Sequence, residues 1–582
     1  MTRTWSAVYV HLHRSRGHID AFLLDHLAPR AEEMVAEGHA KAWFFLRYWD
    51  GGPHLRVRFL DADPDAVAKF SLRMRESAAA TASDAVALDS ASYYADLPRA
   101  DPRRWHGDGD VVGAVYAPET ARYGGPGALE VCEDFFCVSS AIAVAVLRSV
   151  PRPDQRQVVA ADLTSLAFGV LGLSDVEAVR QARGYYATWD YSSEVARPDD
   201  RAREEAEHLF HSAPSRWRQR RSQVERLVAG EGASTHHLWH RALGETVAAL
   251  RSLHAETPLT NDLTRVVWSL LHMTHNRLGL DIDDERRIAW LLSLSYPRWE
   301  PTGDYFDPGV GSPDRAYAEA SKYRSATIAG EHLPRPVPPE EDRARTRSGT
   351  GGPVPLPFGG APVVGLPGPE PLTAPVGDVL ARRSSSHGDY GSHLALSDLA
   401  SLLGHAAGIS APRAGEPGRH RPPRNHPSPG GAYATEVWVV ARHVDGLGRG
   451  TYRYLAEDHA LVRADREPAA DRLSALSPFL RESADGRPGV VADTVGALVV
   501  LVGDVGRLRA GYGQRALRLL LQEAGHMAQN LALSATALGL RSLVVSGFAD
   551  DAVNALLHLD GLDRLALTLL PVGAGTVQEG AG

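Results

Sequence analysis

The sequence predicts an α+β fold in each of two domains, and three observations predict it. Strand-type patterns crowd the start of the chain and give way to helical segments with long apolar stripes. A Pro/Gly-rich stretch then interrupts the pattern, and after it helices alternate with short apolar runs of strand length. The chain has 582 residues, more than a single hydrophobic core usually serves.

The early strands are WSAVYVHLH, AWFFLRYW and HLRVRFL, with IDAFLLDHLAPRAEEMVAEG between the first two spaced as a helix. After Leu129 the chain reads as mostly helical, in ALEVCEDFFCVSSAIAVAVLRSV, VVAADLTSLAFGVLG, TRVVWSLLHMTHNRLGL and DDERRIAWLLSLSY. The first domain is thus a mixed sheet plus helices over residues 1–329. Residues 330–375 are so dense in proline and glycine that neither a helix nor a central strand is expected, and they read as a linker. The second domain spans 376–582, with EVWVVARHV, VGALVVLVG and ALTLLPVG as buried strands. Its long helix, QRALRLLLQEAGHMAQNLALSATALGL, places Leu517, Leu520, Leu521, Ala524, Ala528 and Leu531 on one face, and Gly539 stands near its C-terminus.

Composition narrows the function classes. Hydrophobic content of 44% and charged content of 23% are ordinary for a globular protein. A net charge of −9 with no basic tail argues against direct nucleic-acid binding. Two cysteines, Cys132 and Cys137, exclude a disulfide framework and a four-cysteine zinc site. The start MTRTWSAVYVHLHRSRG lacks the apolar core of a secretory signal, and no run approaches ~20 apolar residues, so a cytoplasmic protein without a membrane partner is expected.

Three motifs carry chemistry in the first domain. In the strand His54-Leu55-Arg56-Val57-Arg58-Phe59, period-two alternation puts His54, Arg56 and Arg58 on one face and Leu55, Val57 and Phe59 toward the core. Two guanidiniums on one short stretch point to a carboxylate or oxyanion between them; the bland alternative is the solvated face of a sheet. In YAPETARYGG, Glu119 and Arg122 are three apart and can pair on one helical turn; alone, that is a surface ion pair. In the helix LLHMTHNRLG, Val267, Leu270, Leu271, Thr274 and Leu278 form the core stripe with His272 on its flank, a position that more often holds a packed histidine than a catalyst. Two further features read as structural. His236-His237-Leu-Trp-His240 has metal-ligand spacing but no third ligand or base, so no metal site is expected. Arg216-Trp-Arg218-Gln-Arg220-Arg221 reads as a solvated helix face, with contact to an acidic peptide as the alternative.

In the second domain, Arg382-Arg383-Ser384 has the makings of a phosphate clamp. Ser428-Pro429-Gly430-Gly431 runs into the strand Tyr433–Ala441, and adjacent glycines permit close backbone approach to a flat ligand. GHMAQN lies inside the long helix, and Ser546-Gly547 follow a strand.

Together WFFLRYWDGGPHLRVRF, YAPETARYGG and LLHMTHNRLG resemble the glutamate-elimination domain of lantibiotic dehydratases, from Trp5 to Tyr296. The resemblance implies removal of glutamate from glutamylated Ser or Thr on a ribosomally made peptide, with Arg56, Arg58 and Arg122 as essential arginines, Glu119 as the acid and His272 as the proton-transfer group. The ester would come from a separate glutamyl-tRNA-dependent enzyme. From Val379 to Gly575, with EAGHMAQNLALSATALGL as the most specific piece, the chain resembles nitroreductase-like flavin dehydrogenases that oxidise azolines to azoles. That resemblance implies an FMN-binding α+β fold, a homodimer formed through this domain, and a phosphate held by Arg382, Arg383 and Ser384. It further implies that Ser428, Gly430 and Gly431 lie along the ring and that Ser546-Gly547 present backbone to it. The Lys-Tyr pair frequent in those dehydrogenases appears as Gly511-Tyr512, leaving Tyr512 as the catalytic candidate. The fusion resembles the bifunctional proteins of lactazole-type thiopeptide pathways, which implies a precursor peptide with a leader and a separate cyclodehydratase as partners. Alternatives are a first domain that acts as a pyridine synthase or only holds the peptide for the oxidase.

Overall fold

The structure is a computed structural model that describes residues 3–82, 88–94, 105–189, 201–229, 234–296, 313–322, 362–410, 422–464, 470–484 and 487–575. The chain divides into two compact units, Met1–Trp299 and Glu300–Gly582. Among the described residues, no helix is long and apolar enough to cross a membrane.

The first unit opens with β1 (Trp5–His11), α1 (Arg16–Phe22), a π-helical turn at Leu23–Leu27, α2 (Ala28–Ala36), β2 (Ala42–Tyr48), β3 (His54–Leu60), α3 (Pro64–Ala80), the single turn α4 (Ser90–Tyr93) and β4 (Val111–Val115). The strands pair antiparallel in the order β2-β3-β1-β4. Register aligns Phe44, Arg58 and Ala7 across the sheet, then Leu46, Arg56 and Tyr9, then Tyr48, His54 and His11, all on one face. On the other face, Phe59 meets the Phe70 ring of α3. The helices that follow are α5 (Pro126–Ser149), α6 (Pro153–Leu171), α7 (Asp175–Thr188), α8 (Arg201–Ser212), α9 (Pro214–Ala229), α10 (Thr235–Glu256), α11 (Leu263–Arg277) and α12 (Ile282–Ser295). Capping boxes start α7 at Ser174/Glu177 and α12 at Asp281/Asp284.

The arginine-bearing face is not the solvated side of a half-exposed sheet. Phe136 of α5 packs on Phe44, and Glu133 accepts the Trp5 indole N–H at 2.8 Å, so α5 covers it. β2 is an edge strand whose outer backbone groups are closed by side chains. Phe45 N–H donates to Ser140 Oγ, and its carbonyl accepts from Arg277 Nε at 2.7 Å. Arg47 N–H donates to Asn276 Oδ1, and Asn276 Nδ2 donates back to the Arg47 carbonyl. An open edge invites strand pairing from other chains; here Asn276 and Arg277, at the end of α11, occupy it.

The second unit contains α13 (Pro313–Ala320), β5 (Val363–Gly365), α14 (Val376–Arg382), α15 (Leu396–Ala407), β6 (Thr435–Ala441), β7 (Gly450–Leu455), β8 (Ala460–Arg463), α16 (Ala470–Leu476), the small hairpin β9 (Ser483–Ala484) and β10 (Arg487–Pro488), β11 (Ala497–Asp504), α17 (Val505–Tyr512), α18 (Ala516–Ala537), β12 (Arg541–Ser542), α19 (Asp550–Leu556) and β13 (Arg564–Gly573). Seven strands form one sheet, β12-β13-β11-β6-β7-β8-β5. β11 is buried at every position in its centre. Leu399, Leu402 and Leu403 of α15 and Met527 and Leu531 of α18 share one core cluster with this sheet; Leu473 and Leu476 of α16 and Val553 and Leu556 of α19 share another.

Two expectations change here. Val363–Gly365, inside the expected linker, pairs with β8 as an edge strand, the one sheet position where a proline-rich segment is tolerated. Residues 330–361 lie outside the described residues. Leu521 leaves the core ridge of α18: that ridge runs through Ala516, Leu520, Ala524, Met527 and Leu531, and Leu521 is 52% exposed.

Candidate functional site

In the first unit the arginine face concentrates positive charge. The Arg56 guanidinium carbon lies 3.4 Å from the Tyr48 ring centre and 4.6 Å from that of Tyr9. Its Nε donates to His54 Nε2 at 2.9 Å, and His54 Nδ1 donates to the Gly52 carbonyl at 2.8 Å, which fixes a neutral imidazole. Burial pushes His54 down to about 3, and its neighbour His11 to about 4. Arg58 lies against Phe44 and Tyr116, with its guanidinium carbon 4.3 Å from the Tyr116 ring centre. Neither Arg56 nor Arg58 has a carboxylate partner among the described residues. A buried cation without a counter-ion is expensive, and such a pair is poised to take an anion. A cleft of about 890 Å³ is lined by Trp5, Ala7, Ala114, Leu129, Glu133 and Tyr116 among others, the last being the ring that Arg58 lies against.

Arg122 contacts α11, the helix that carries His272. Arg122 Nε donates to Ser269 Oγ at 3.2 Å, one helical turn before His272, and Nη1 pairs with Glu119 at 3.0 Å. The pairing expected from the spacing of Glu119 and Arg122 is present. His272 is buried and Trp189 packs beside its ring, with centroids 5.0 Å apart. His272 Nδ1 lies 2.9 and 3.0 Å from the two carboxylate oxygens of Glu285, which is 1% exposed on α12. Glu285 also accepts from the Tyr185 hydroxyl of α7. The Tyr185 ring stacks on Trp268, with centroids 4.0 Å apart. Burial, followed by the Glu285 charge, holds the Tyr185 hydroxyl well above its ordinary range, so it stays a donor.

His236 Nε2 lies 3.0 Å from Asp162. Arg220 meets the same carboxylate through two nitrogens, at 3.0 and 2.5 Å, and Arg221 pairs with Asp175. These residues tie α9 and α10 to α6 and α7, so the basic run is in part a structural clamp.

In the second unit a separate cleft of about 560 Å³ opens along α18, lined by Arg383, Ser384, Gly525, Gln529, Ser546 and Thr568 among others. A guanidinium and hydroxyls at one wall suit a phosphate, and a helical glycine with nothing within 4 Å of its missing side chain suits a flat ring. Arg382 is exposed and does not line this cleft. Neither does Gly547, over which the Phe479 ring lies. The Ser428 loop is on the opposite side of α18. Ser428 Oγ donates to the fully buried Glu523 at 2.6 Å, and Gly430 and Gly431 adopt left-handed backbone with φ 57 and 66. Glu523 and Gly525 stand about 200° apart around the helix. Tyr512 packs with Ala432, Ala434 and Leu508 on the loop's side. Within one chain, then, Ser428, Gly430, Gly431 and Tyr512 lie on the other side of α18 from the cleft lined by Arg383, Ser384 and Ser546.

The model of the lantibiotic biosynthesis dehydratase C-terminal family matches residues 5–296, half of the chain. The chain belongs to that family. The nitroreductase family model matches residues 379–574, so this dehydratase-family chain carries a nitroreductase domain fused behind its first unit. A nitroreductase-type protein of Methanocaldococcus jannaschii is 31% identical over 196 residues, 34% of this chain and 89% of that protein. Among solved structures, the pyridine synthase TbtD from thiomuracin biosynthesis is 20% identical with a TM-score of 0.42, covering 50% of this chain and 97% of that one. The tRNA-dependent lantibiotic dehydratase MibB from Microbispora sp. 107891 is 23% identical with a TM-score of 0.34, covering 50% of this chain. The chain spans 28% of that dehydratase's length.

Arg56, Arg58, Arg122 and His272 all lie in the first unit. Glu285 and Tyr185 were not singled out from sequence. Glu285 sits in the first turn of α12, where an acid is ordinary because it complements the helix dipole. Its partner lies on the preceding helix, and no local spacing reports that contact.

Proposed function

We propose that the first unit removes glutamate from glutamylated Ser or Thr on a ribosomally made precursor peptide, and that the second oxidises azolines to azoles with FMN, in thiopeptide biosynthesis. The observation that carries the reading is the pair Arg56 and Arg58, buried or half-buried without carboxylate partners, in the same unit as Arg122 and a histidine backed by a carboxylate. Elimination removes the α-proton of the acylated residue, and the electron pair moves to form the Cα–Cβ double bond. The Cβ–O bond breaks, and glutamate departs with that bond's electrons. The products are dehydroalanine or dehydrobutyrine and free glutamate. Oxyanion character builds on the adjacent carbonyl, and fixed guanidiniums aimed at it contribute roughly 10²–10³ in rate per donor. A fork-shaped cation also grips the leaving carboxylates at two points.

In the second unit Arg383 and Ser384 would hold the cofactor's phosphate, and the Gly525 face of α18 with Ser546 would lie along its ring. FMN when bound supplies the acceptor for the two hydrogens that leave each azoline, with dioxygen as the terminal oxidant. The loop Ser428–Gly431 and Tyr512 would reach that ring from a second copy of the chain, which favours a homodimer. The other partners follow: a leader-bearing peptide, a glutamyl-tRNA-dependent glutamylating enzyme and a cyclodehydratase, all in the cytoplasm. The test of the first activity is to incubate the full chain with a glutamylated Ser peptide and measure glutamate release. Glutamate released in step with dehydroalanine is expected from wild type and not from His272→Ala. Two dehydroalanines joined into a pyridine, or a peptide bound and unchanged, would overturn it.

A further inference from the structure

The carboxylate behind His272, that of Glu285, is 1% exposed. We propose that Glu285, held by Tyr185, is the positioning residue that fixes His272 with Nδ1–H on the carboxylate and Nε2 directed to the substrate's proton; this rests on the elimination reading above.

Three features argue for it. An ionised carboxylate only accepts hydrogen bonds, so a ring nitrogen 2.9 and 3.0 Å from its two oxygens must carry the proton. That leaves Nε2 as the nitrogen able to take or return one. The carboxylate itself is immobilised by the Tyr185 hydroxyl, whose ring is held by the stack on Trp268. Among the described residues, the other titratable or charged groups near Glu285 fit this assignment. His275 of α11 stands 4.0 Å away through Nδ1, but its Nε2 donates to Thr164 Oγ1 at 3.2 Å, and burial pushes its pKa down, so it stays neutral. From the chain before α5, Arg122 is near enough for its charge to favour the ionised form of Tyr185, though burial outweighs it. Among the described residues, the imidazolium of His272, once it has taken the proton, is placed to donate directly to the Glu285 carboxylate. A carboxylate in that place stabilises the charged imidazole as it forms and selects the tautomer beforehand, which is the physical role of the acid in serine-protease triads.

The test compares Glu285→Gln, Glu285→Asp and Tyr185→Phe with wild type in the full chain, using a glutamylated peptide and free-glutamate release across pH. A glutamine amide donates to Nδ1, so the tautomer flips and Nε2 carries the proton. The expected result is a kcat loss of ~10²–10⁴ in Glu285→Gln with KM little changed. The acidic limb of the kcat/KM profile should move to lower pH, because the lost negative charge no longer favours the imidazolium. Glu285→Asp should recover part of kcat, and Tyr185→Phe should lose less than Glu285→Gln. Wild-type kcat and an unmoved pH limb in Glu285→Gln, while His272→Ala is inactive, would overturn the positioning role alone. Full activity in His272→Ala would overturn the elimination reading itself. If Glu285→Gln fails to fold, Tyr185→Phe with a wild-type pH profile and kcat would overturn the inference.

Discussion

Arg56 is held between the rings of Tyr9 and Tyr48, with its Nε committed to His54. Such a guanidinium has its fork aimed before any ligand arrives. Replacing it by Lys keeps the charge and loses the fork and the stacking. Arg56→Lys should therefore lower elimination by roughly 10²-fold or more with the fold intact, read as glutamate release beside an unchanged circular-dichroism spectrum. Wild-type release would mean that Arg56 supplies only field or packing. The histidines beneath it predict a pH effect on stability. Burial lowers His11 from 6.5 to about 4 and His54 from 6.5 to about 3. The unfolded chain therefore takes up protons first as pH falls below about 6.5, and the stability these neutral rings allow is lost progressively from there toward pH 3–4. Urea unfolding at pH 7 and pH 5 should show a smaller loss of stability in His11→Phe than in wild type. The alternation of HLRVRF made Arg56 and Arg58 legible in the sequence. Their burial was not legible, because the helix that covers them follows much later in the chain and nothing local to the strand announces it.

At the scale of elements, α11 does two tasks with one short run. His272 faces Glu285, while Asn276 and Arg277, a turn later, close the edge of β2. The apolar stripe of α11 was readable, but helical spacing cannot say that polar flanks will meet a strand edge. Arg277 is fully buried, and burial lowers it to about 10. Arg277→Met removes the donor to the Phe45 carbonyl, and a buried carbonyl left unpaired costs about 1–3 kcal/mol. A drop of that order in unfolding free energy is expected from denaturant titration. In the second unit, α18 presents the glycine of GHMAQN to the cleft. Gly525→Leu should fill that wall and abolish flavin retention, seen as loss of the yellow absorbance, while the N-terminal elimination continues. Arg383→Ala should weaken retention more than Arg382→Ala, since only Arg383 lines the cleft. The paired arginines were visible in sequence; which of them faces the cleft depends on how α14 ends, which spacing does not settle.

For the whole molecule, two units with their own cores predict that the chemistries separate. His272→Ala should stop glutamate release and leave azoline oxidation running. The division of the second unit's motifs between two sides of α18 predicts complementation. Arg383→Ala and Tyr512→Phe should each be deficient in azoline oxidation alone and regain activity when unfolded together and refolded as mixed dimers, because one site of each mixed pair would be intact. The two-domain α+β organisation was readable from the pattern changes along the chain. The edge strand at Val363–Gly365 was not, since its proline-rich surroundings suppress every local strand signal and only pairing with β8 creates it. The central claim, two chemistries on one peptide, is tested most directly by mass spectrometry of a precursor carrying one glutamyl-serine ester and one thiazoline, after incubation with the full chain and FMN. The account predicts a product lighter by one glutamic acid and two hydrogens. A product that has lost the two hydrogens but keeps its glutamyl ester would contradict it.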